Sequence, residues 1–192
     1  MLVAALLLAP PAIGDGDTTG QPVHERCATC HELDGNARGE RLPRLAGQTV
    51  DYLTKQLRDF RGGRRASSMQ ATAELLDDAD IAEVARHFSA QPPRTPAETV
   101  PEADRRRAER LHRDGDRKRG IRACGSCHGP LGEGNGASPR LAGQHPGYLE
   151  TQLLRFRQGK RANDDEGAMH TVAAAATPLE IQALARYFAG LR

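Results

Sequence analysis

All four cysteines of this 192-residue chain fall into two pentapeptides, Cys27-Ala28-Thr29-Cys30-His31 and Cys124-Gly125-Ser126-Cys127-His128. C-x-x-C-H is the attachment signature of c-type heme. On a helix, positions i and i+3 share a face, so Cys27 and Cys30 can each form a thioether with one heme vinyl group. His31 follows directly and brings an imidazole within reach of the iron as proximal ligand. Cys124, Cys127 and His128 repeat the arrangement. Two C-x-x-C pairs could instead make a structural zinc site or a redox dithiol. Zinc ribbons close their pairs over a shorter separation than the 97 positions between these, and neither alternative needs His directly after both pairs.

A second axial ligand is sought among three methionines, of which Met1 is the start. Met69 and Met169 follow the two histidines by 38 and 41 positions, in what read as polar loops. A thioether is a soft ligand that suits heme iron, and His/Met ligation raises the reduction potential above that of a bis-His site. A lone Met is more often core filler, but these two occupy equivalent places. His170 adjoins Met169 as a competing ligand. Pro43 and Pro139 offer carbonyls that could accept the other ring N–H of His31 and His128, fixing ring orientation. His24, His87, His112 and His145 have no ligand-like spacing and are expected at the surface or an interface.

The elements that must position these residues come in duplicate. Pro43-Arg44-Leu45-Ala46-Gly47-Gln48 recurs as Pro139-Arg140-Leu141-Ala142-Gly143-Gln144, an offset of 96. Tyr52-Leu53, Gln56-Leu57 and Phe60 recur as Tyr148-Leu149, Gln152-Leu153 and Phe156. Ile81, Val84, Ala85 and Phe88 match Ile181, Leu184, Ala185 and Phe188 at an offset of 100. Six of the seven aromatics fall into such pairs, and His87 stands opposite the seventh, Tyr187. Register held over this length marks two copies of one domain. The spacing of Leu53, Leu57 and Phe60 predicts a helix from Thr49 to about Arg61, stopped by Gly62-Gly63. Thr177-Pro178-Leu179-Glu180 predicts a capping box with proline in the first turn, and Asp77 is the matching N-cap. No alternating strand pattern of useful length appears, so the fold class is all-α.

Residues 1–14 read as a secretory leader: an apolar run, then small residues at Ala12 and Gly14, without a basic start. The run is too short to span a bilayer as a helix. The expected organisation is 15–91 as the first heme domain, 92–101 as a proline-rich, stiff connector, and 102–192 as the second. Aromatics are only 4% of the chain and Trp is absent, so each copy of roughly 90 residues is short of large core side chains. A heme in each would supply the missing apolar mass. Net charge is +2, which gives no argument for nucleic acid or membrane binding. Before Pro96 there are 11 basic and 13 acidic residues, and from Pro96 on 16 and 12, a dipolar distribution that could steer a charged partner. The run from Arg105 to Arg119 reads mainly as a solvated helix face and loop.

With both heme motifs, both Pro-Arg-Leu-Ala-Gly-Gln segments and both late methionines in view, residues 18–192 resemble the cytochrome c4 family. The resemblance implies two class I cytochrome c domains related by a pseudo-twofold axis. It also implies heme c on Cys27, Cys30, Cys124 and Cys127, with His31/Met69 and His128/Met169 as axial pairs and the hemes near the domain interface. It implies a periplasmic electron carrier, free or loosely membrane-associated, working between a respiratory donor complex and a terminal oxidase. No small-molecule substrate, nucleic acid or catalytic residue is implied. The alternatives are the electron-accepting subunit of a periplasmic dehydrogenase, flavoprotein or sulfur-oxidising, and a diheme enzyme. An enzyme needs an exchangeable axial position, against which two candidate methionines argue. Two departures stand out: Glu32 follows His31 where the family usually has Gly, as at Gly129, and no proline neighbours Met69.

Overall fold

A computed structural model describes residues 20–94 and 99–192. The leader expected at 1–14 and positions 95–98 of the connector lie outside the described residues. The helices are α1 (Ala28–His31), α2 (Val50–Arg61), α3 (Met69–Glu74) and α4 (Asp78–Ala90), then α5 (Glu102–Arg113), α6 (Gly125–His128), α7 (Pro146–Arg157), α8 (Ala168–Ala175) and α9 (Pro178–Gly190). Among the described residues there is no strand, only two isolated bridges, Asp116 with Ile121 and Asn135 with Ser138.

The caps fall where the sequence asks for them. Thr49 Oγ1 accepts the Tyr52 N–H at the start of α2. Asp77 and Asp80 form a capping box for α4, and Thr177 and Glu180 one for α9, each satisfying two helix-end donors. The apolar stripe of α4 (Ile81, Val84, Ala85, Phe88) is buried against Leu53 and Leu57 of α2. The matching stripe of α9 closes on Leu149 of α7 and on Ala108 and Leu111 of α5. Burying a phenylalanine such as Phe88 or Phe188 contributes roughly 2–3 kcal/mol.

The Leu-Ala-Gly-Gln segments are structural staples. Gly47 N–H donates to the Phe88 carbonyl and Gly143 N–H to the Phe188 carbonyl, at 3.0 and 2.9 Å. The N–H groups of Leu45 and Ala46 converge on the carbonyl of Gly35, and those of Leu141 and Ala142 on that of Gly132. Gly35 sits at φ 69°, and a Cβ there would lie 2.7 Å from the Phe88 ring. Only glycine allows the post-motif loop to lie this close to the terminal helix.

Two expectations change. Met69 opens α3 and Met169 lies in the first turn of α8, so both sit on short helices and not in loops. The runs after Ser68 and Gly167 are rich in alanine, a strong helix former, and their shortness hid their period. His112 is buried at the end of α5, inside the second domain and away from surface and interface, because the face of α5 opposite its arginines packs into the core. The start of the connector is tied to the first domain, where Asn36 Nδ2–H donates to the Pro92 carbonyl (3.1 Å) and Asn36 Oδ1 accepts the Arg94 N–H (2.7 Å).

Candidate heme sites

In each motif the thiols and the imidazole part company. Cys27 and Cys124 are half-buried, Cys30 and Cys127 are exposed, and none of the four is paired in a disulfide. His31 and His128 are buried. His31 Nδ1–H donates to the Pro43 carbonyl at 2.9 Å and His128 Nδ1–H to the Pro139 carbonyl at 2.9 Å. A carbonyl only accepts, so the proton is on Nδ1 and the lone pair is on Nε2. Burial lowers the pKa of both rings, against the opposing pull of the proline carbonyls, and so holds them neutral. A neutral imidazole with a free Nε2 is what an iron ligand requires. Burial pushes the Cys27 and Cys124 thiols up to about 11. Thioether formation removes these protons and leaves no charge to bury.

Met69 is half-buried and packs, with Cys27, against the first core cluster. Its N–H donates to Ser67 Oγ at 3.0 Å. Met169 is half-buried, and its N–H donates to Asp164 Oδ2 at 2.6 Å. His170 is exposed and is anchored through Nδ1–H to the Phe156 carbonyl at 2.8 Å. Among the described residues no three His, Cys, Asp or Glu side chains gather to hold a metal ion, so the zinc alternative finds no donor set.

The domains meet in a polar, two-fold pattern. Gln48 accepts the Arg140 N–H and donates to the Arg140 carbonyl, while Gln144 does the same to Arg44. Arg65 reaches Tyr148 Oη (3.0 Å) and Gln152 (2.9 Å) across the boundary, and Arg161 reaches Tyr52 Oη (3.1 Å) and Gln56 (3.3 Å). Each guanidinium also covers a ring of its own domain, Phe60 at 4.6 Å or Phe156 at 4.4 Å. This is the isologous geometry of a twofold contact, realised within one chain.

Both guanidiniums are buried, and their recorded hydrogen-bond partners are neutral: Gln56, Gln152, Asn163 and the two tyrosines. Buried charge without a counter-charge is costly. An anionic group fits here, as the carboxylates of a heme would. Tyr52 feels the same field: burial opposes its ionisation, but Arg161 and Arg65 outweigh it and bring the phenol down to about 8. None of these interface roles was singled out from the sequence. Arg65 and Arg161 do stand in the 96-residue register, and that was the signal available. His145 behaves as expected of an interface residue, bonding the Ala37 carbonyl of the other domain at 2.7 Å.

Comparison with known proteins agrees with the duplication. The cytochrome c family model matches residues 119–192, and the model of cytochrome c oxidase cbb3-type subunit III matches residues 18–88. Cytochrome c4 of Thiocapsa roseopersicina is 37% identical over 95% of this chain and 96% of its own length. The chain belongs to the cytochrome c4 family. The crystal structure of reduced recombinant cytochrome c4 from Pseudomonas stutzeri superposes with a TM-score of 0.82 at 35% identity, covering 88% of this chain and 97% of that one. The thiosulfate dehydrogenase electron acceptor of Stutzerimonas stutzeri (strain A1501) is 43% identical over 98% of this chain and 92% of its own length. This cytochrome c4 family member is therefore a diheme electron carrier built from two class I cytochrome c domains, with a covalent heme c in each. Its partners are redox proteins.

Proposed function

We propose that Cys27, Cys30, Cys124 and Cys127 hold the hemes and that His31/Met69 and His128/Met169 are the two axial pairs. Each heme, when bound, supplies a reversible one-electron couple. The proline carbonyls orient the two imidazoles, and α3 and α8 present the two thioethers. The reciprocal Gln48 and Gln144 contacts hold the domains in one relative pose, and Arg65 and Arg161 supply positive charge at their boundary. A protected six-coordinate site favours transfer over chemistry, so the protein relays electrons and transforms no substrate. The observation that carries this reading is the twin arrangement of a buried imidazole, its Nδ1–H on a proline carbonyl and its Nε2 free.

The working place is the periplasm, with the leader at 1–14 removed, residues 15–91 and 102–192 as the heme domains, and residues 92–101 as connector. Among the described residues no helix is long and apolar enough to cross a membrane. The carrier takes electrons from a respiratory complex and passes them to a terminal oxidase. A second reading, as electron acceptor of a sulfur-oxidising dehydrogenase, is favoured by the 43% identical relative that bears that name. A redox titration followed by optical and magnetic spectroscopy tests the ligand assignment: two low-spin His/Met irons are expected, and a resting iron with an open face overturns it. Oxidase and thiosulfate dehydrogenase assays with the purified holoprotein separate the two partner readings.

A further inference from the structure

The positive surplus of the second domain is not spread over it. Residues 102–122 hold nine basic and five acidic side chains, while the rest of the chain from Pro96 balances at seven each. Within 102–122 every carboxylate is engaged: Glu102 and Glu109 by Arg105, Asp104 by Arg107 and Arg186, Asp114 by Arg113, and Asp116 by Arg119. Arg119 also grips Glu180. Arg110, Arg117, Lys118 and Arg122 are left exposed, without an ion pair among the described residues. The negative C-terminal end of α5 accounts for Arg110. Nothing in the packing of the fold accounts for the other three.

Backbone contacts hold the segment that carries these four cations beside the second heme motif. The Asp116–Ile121 bridge, with N···O distances of 2.7 and 2.9 Å, closes the loop carrying Arg117 and Lys118 directly after α5. Cys124 N–H donates to the Leu111 carbonyl at 3.4 Å, which brings the backbone next to Arg110 up to the motif that Arg122 precedes by two residues. Ser126 and Cys127 next to it are exposed. The segment before Cys27 has no such cluster, only Arg26 against Asp15, Asp17 and Glu25.

We propose that Arg110, Arg117, Lys118 and Arg122 form the docking surface for an acidic redox protein at the second heme. The inference rests on the electron-carrier reading and adds to it which domain meets that partner and the sign of the partner's charge. A protein is favoured over an anionic membrane because the cluster abuts the cysteines that hold the redox group, where a partner exchanges electrons and a lipid has no need to sit. Complementary charge at such a site steers encounter and raises the association rate.

The test follows oxidation of the reduced holoprotein by plastocyanin, an acidic cupredoxin used as probe, in stopped flow. Native protein is compared with R110E/R117E/K118E/R122E and with the neutral set R110Q/R117Q/K118Q/R122Q. At low ionic strength the second-order rate constant should fall about tenfold or more in the Glu set and less in the Gln set, converging with native at high salt. Heme content and visible spectra should be unchanged in both. Equal rates at low salt overturn the proposal. So does a Glu set that loses binding to phosphatidylglycerol vesicles while keeping its rate, which marks the cluster as membrane-facing. Native protein with two hemes that exchanges no electrons with the probe at any salt overturns the carrier reading and this inference together.

Discussion

Gln48 brackets Arg140 across the domain boundary, accepting its N–H at 2.7 Å and donating to its carbonyl at 3.0 Å. Gln144 does the same to Arg44, at 2.9 Å for both bonds. Each glutamine is buried and also accepts a backbone N–H of its own domain, from Thr49 or His145. Cutting either side chain back strands backbone groups without partners, at about 1–3 kcal/mol each. Gln48→Ala with Gln144→Ala should therefore split one cooperative thermal transition into two, while the heme spectra persist. A single sharp transition in the double variant would show that the glutamines do not couple the domains.

Glu32 occupies φ 63°, ψ 159°, and its counterpart Gly129 occupies φ 83°, ψ 155°. This region is essentially reserved for glycine, and a residue with a Cβ pays about 1–3 kcal/mol to stay there. Glu32→Gly should raise the stability of the first domain by about 1–2 kcal/mol in denaturant unfolding, the relief of strain being partly offset by the extra freedom glycine gives the unfolded chain. Gly129→Ala should lower that of the second by a similar amount. Loss of stability in Glu32→Gly would mean that its weak contact with Arg38, at 3.8 Å, outweighs the backbone strain.

Glu180 is buried, caps α9 and is clasped by both terminal nitrogens of Arg119 at 2.7 and 2.8 Å. The Arg119 hydrogen bonds, opposed by burial, take its carboxyl from 4.5 down to about 2. A carboxylate depressed in the folded state stabilises fully above its unfolded pKa and loses that contribution as pH falls toward the folded one. The second domain should therefore weaken as pH falls from about 4.5 toward 2. In Arg119→Ala this part of the acid-unfolding curve should flatten, and stability at pH 7 should drop. An unchanged curve would contradict the pairing.

Met69 and Met169 should behave alike when removed. Met169→Ala, or Met69→Ala, should open one iron to carbon monoxide or cyanide and lower its potential, leaving the other heme as it was. Thioether attachment keeps the heme in place, so its loss does not confuse the result. Unaltered spectra with no added ligand binding would reject the assigned methionine. His170, held on the Phe156 carbonyl, should not substitute for Met169.

The sequence alone determined the chemistry and the local elements. Thiol and imidazole spacing specifies heme attachment whatever surrounds it, because the motif is contiguous. The helices with caps and long stripes, α2, α4, α7 and α9, were legible for the same reason: caps and periodicity are local. The short α3 and α8 were not, since one or two turns carry too little period to see. Nor was the burial of His112, whose ring nitrogens meet Gly129 and Tyr187, 17 and 75 residues away. Tertiary structure decided what the repeated Gln48/Gln144 and Arg65/Arg161 are for. As repeats they carry no sign of which domain they contact, and they are the bonds between the two. Only the apposition of two copies about a near-twofold axis brings each glutamine to the other domain's backbone, and no pattern within one copy encodes that approach.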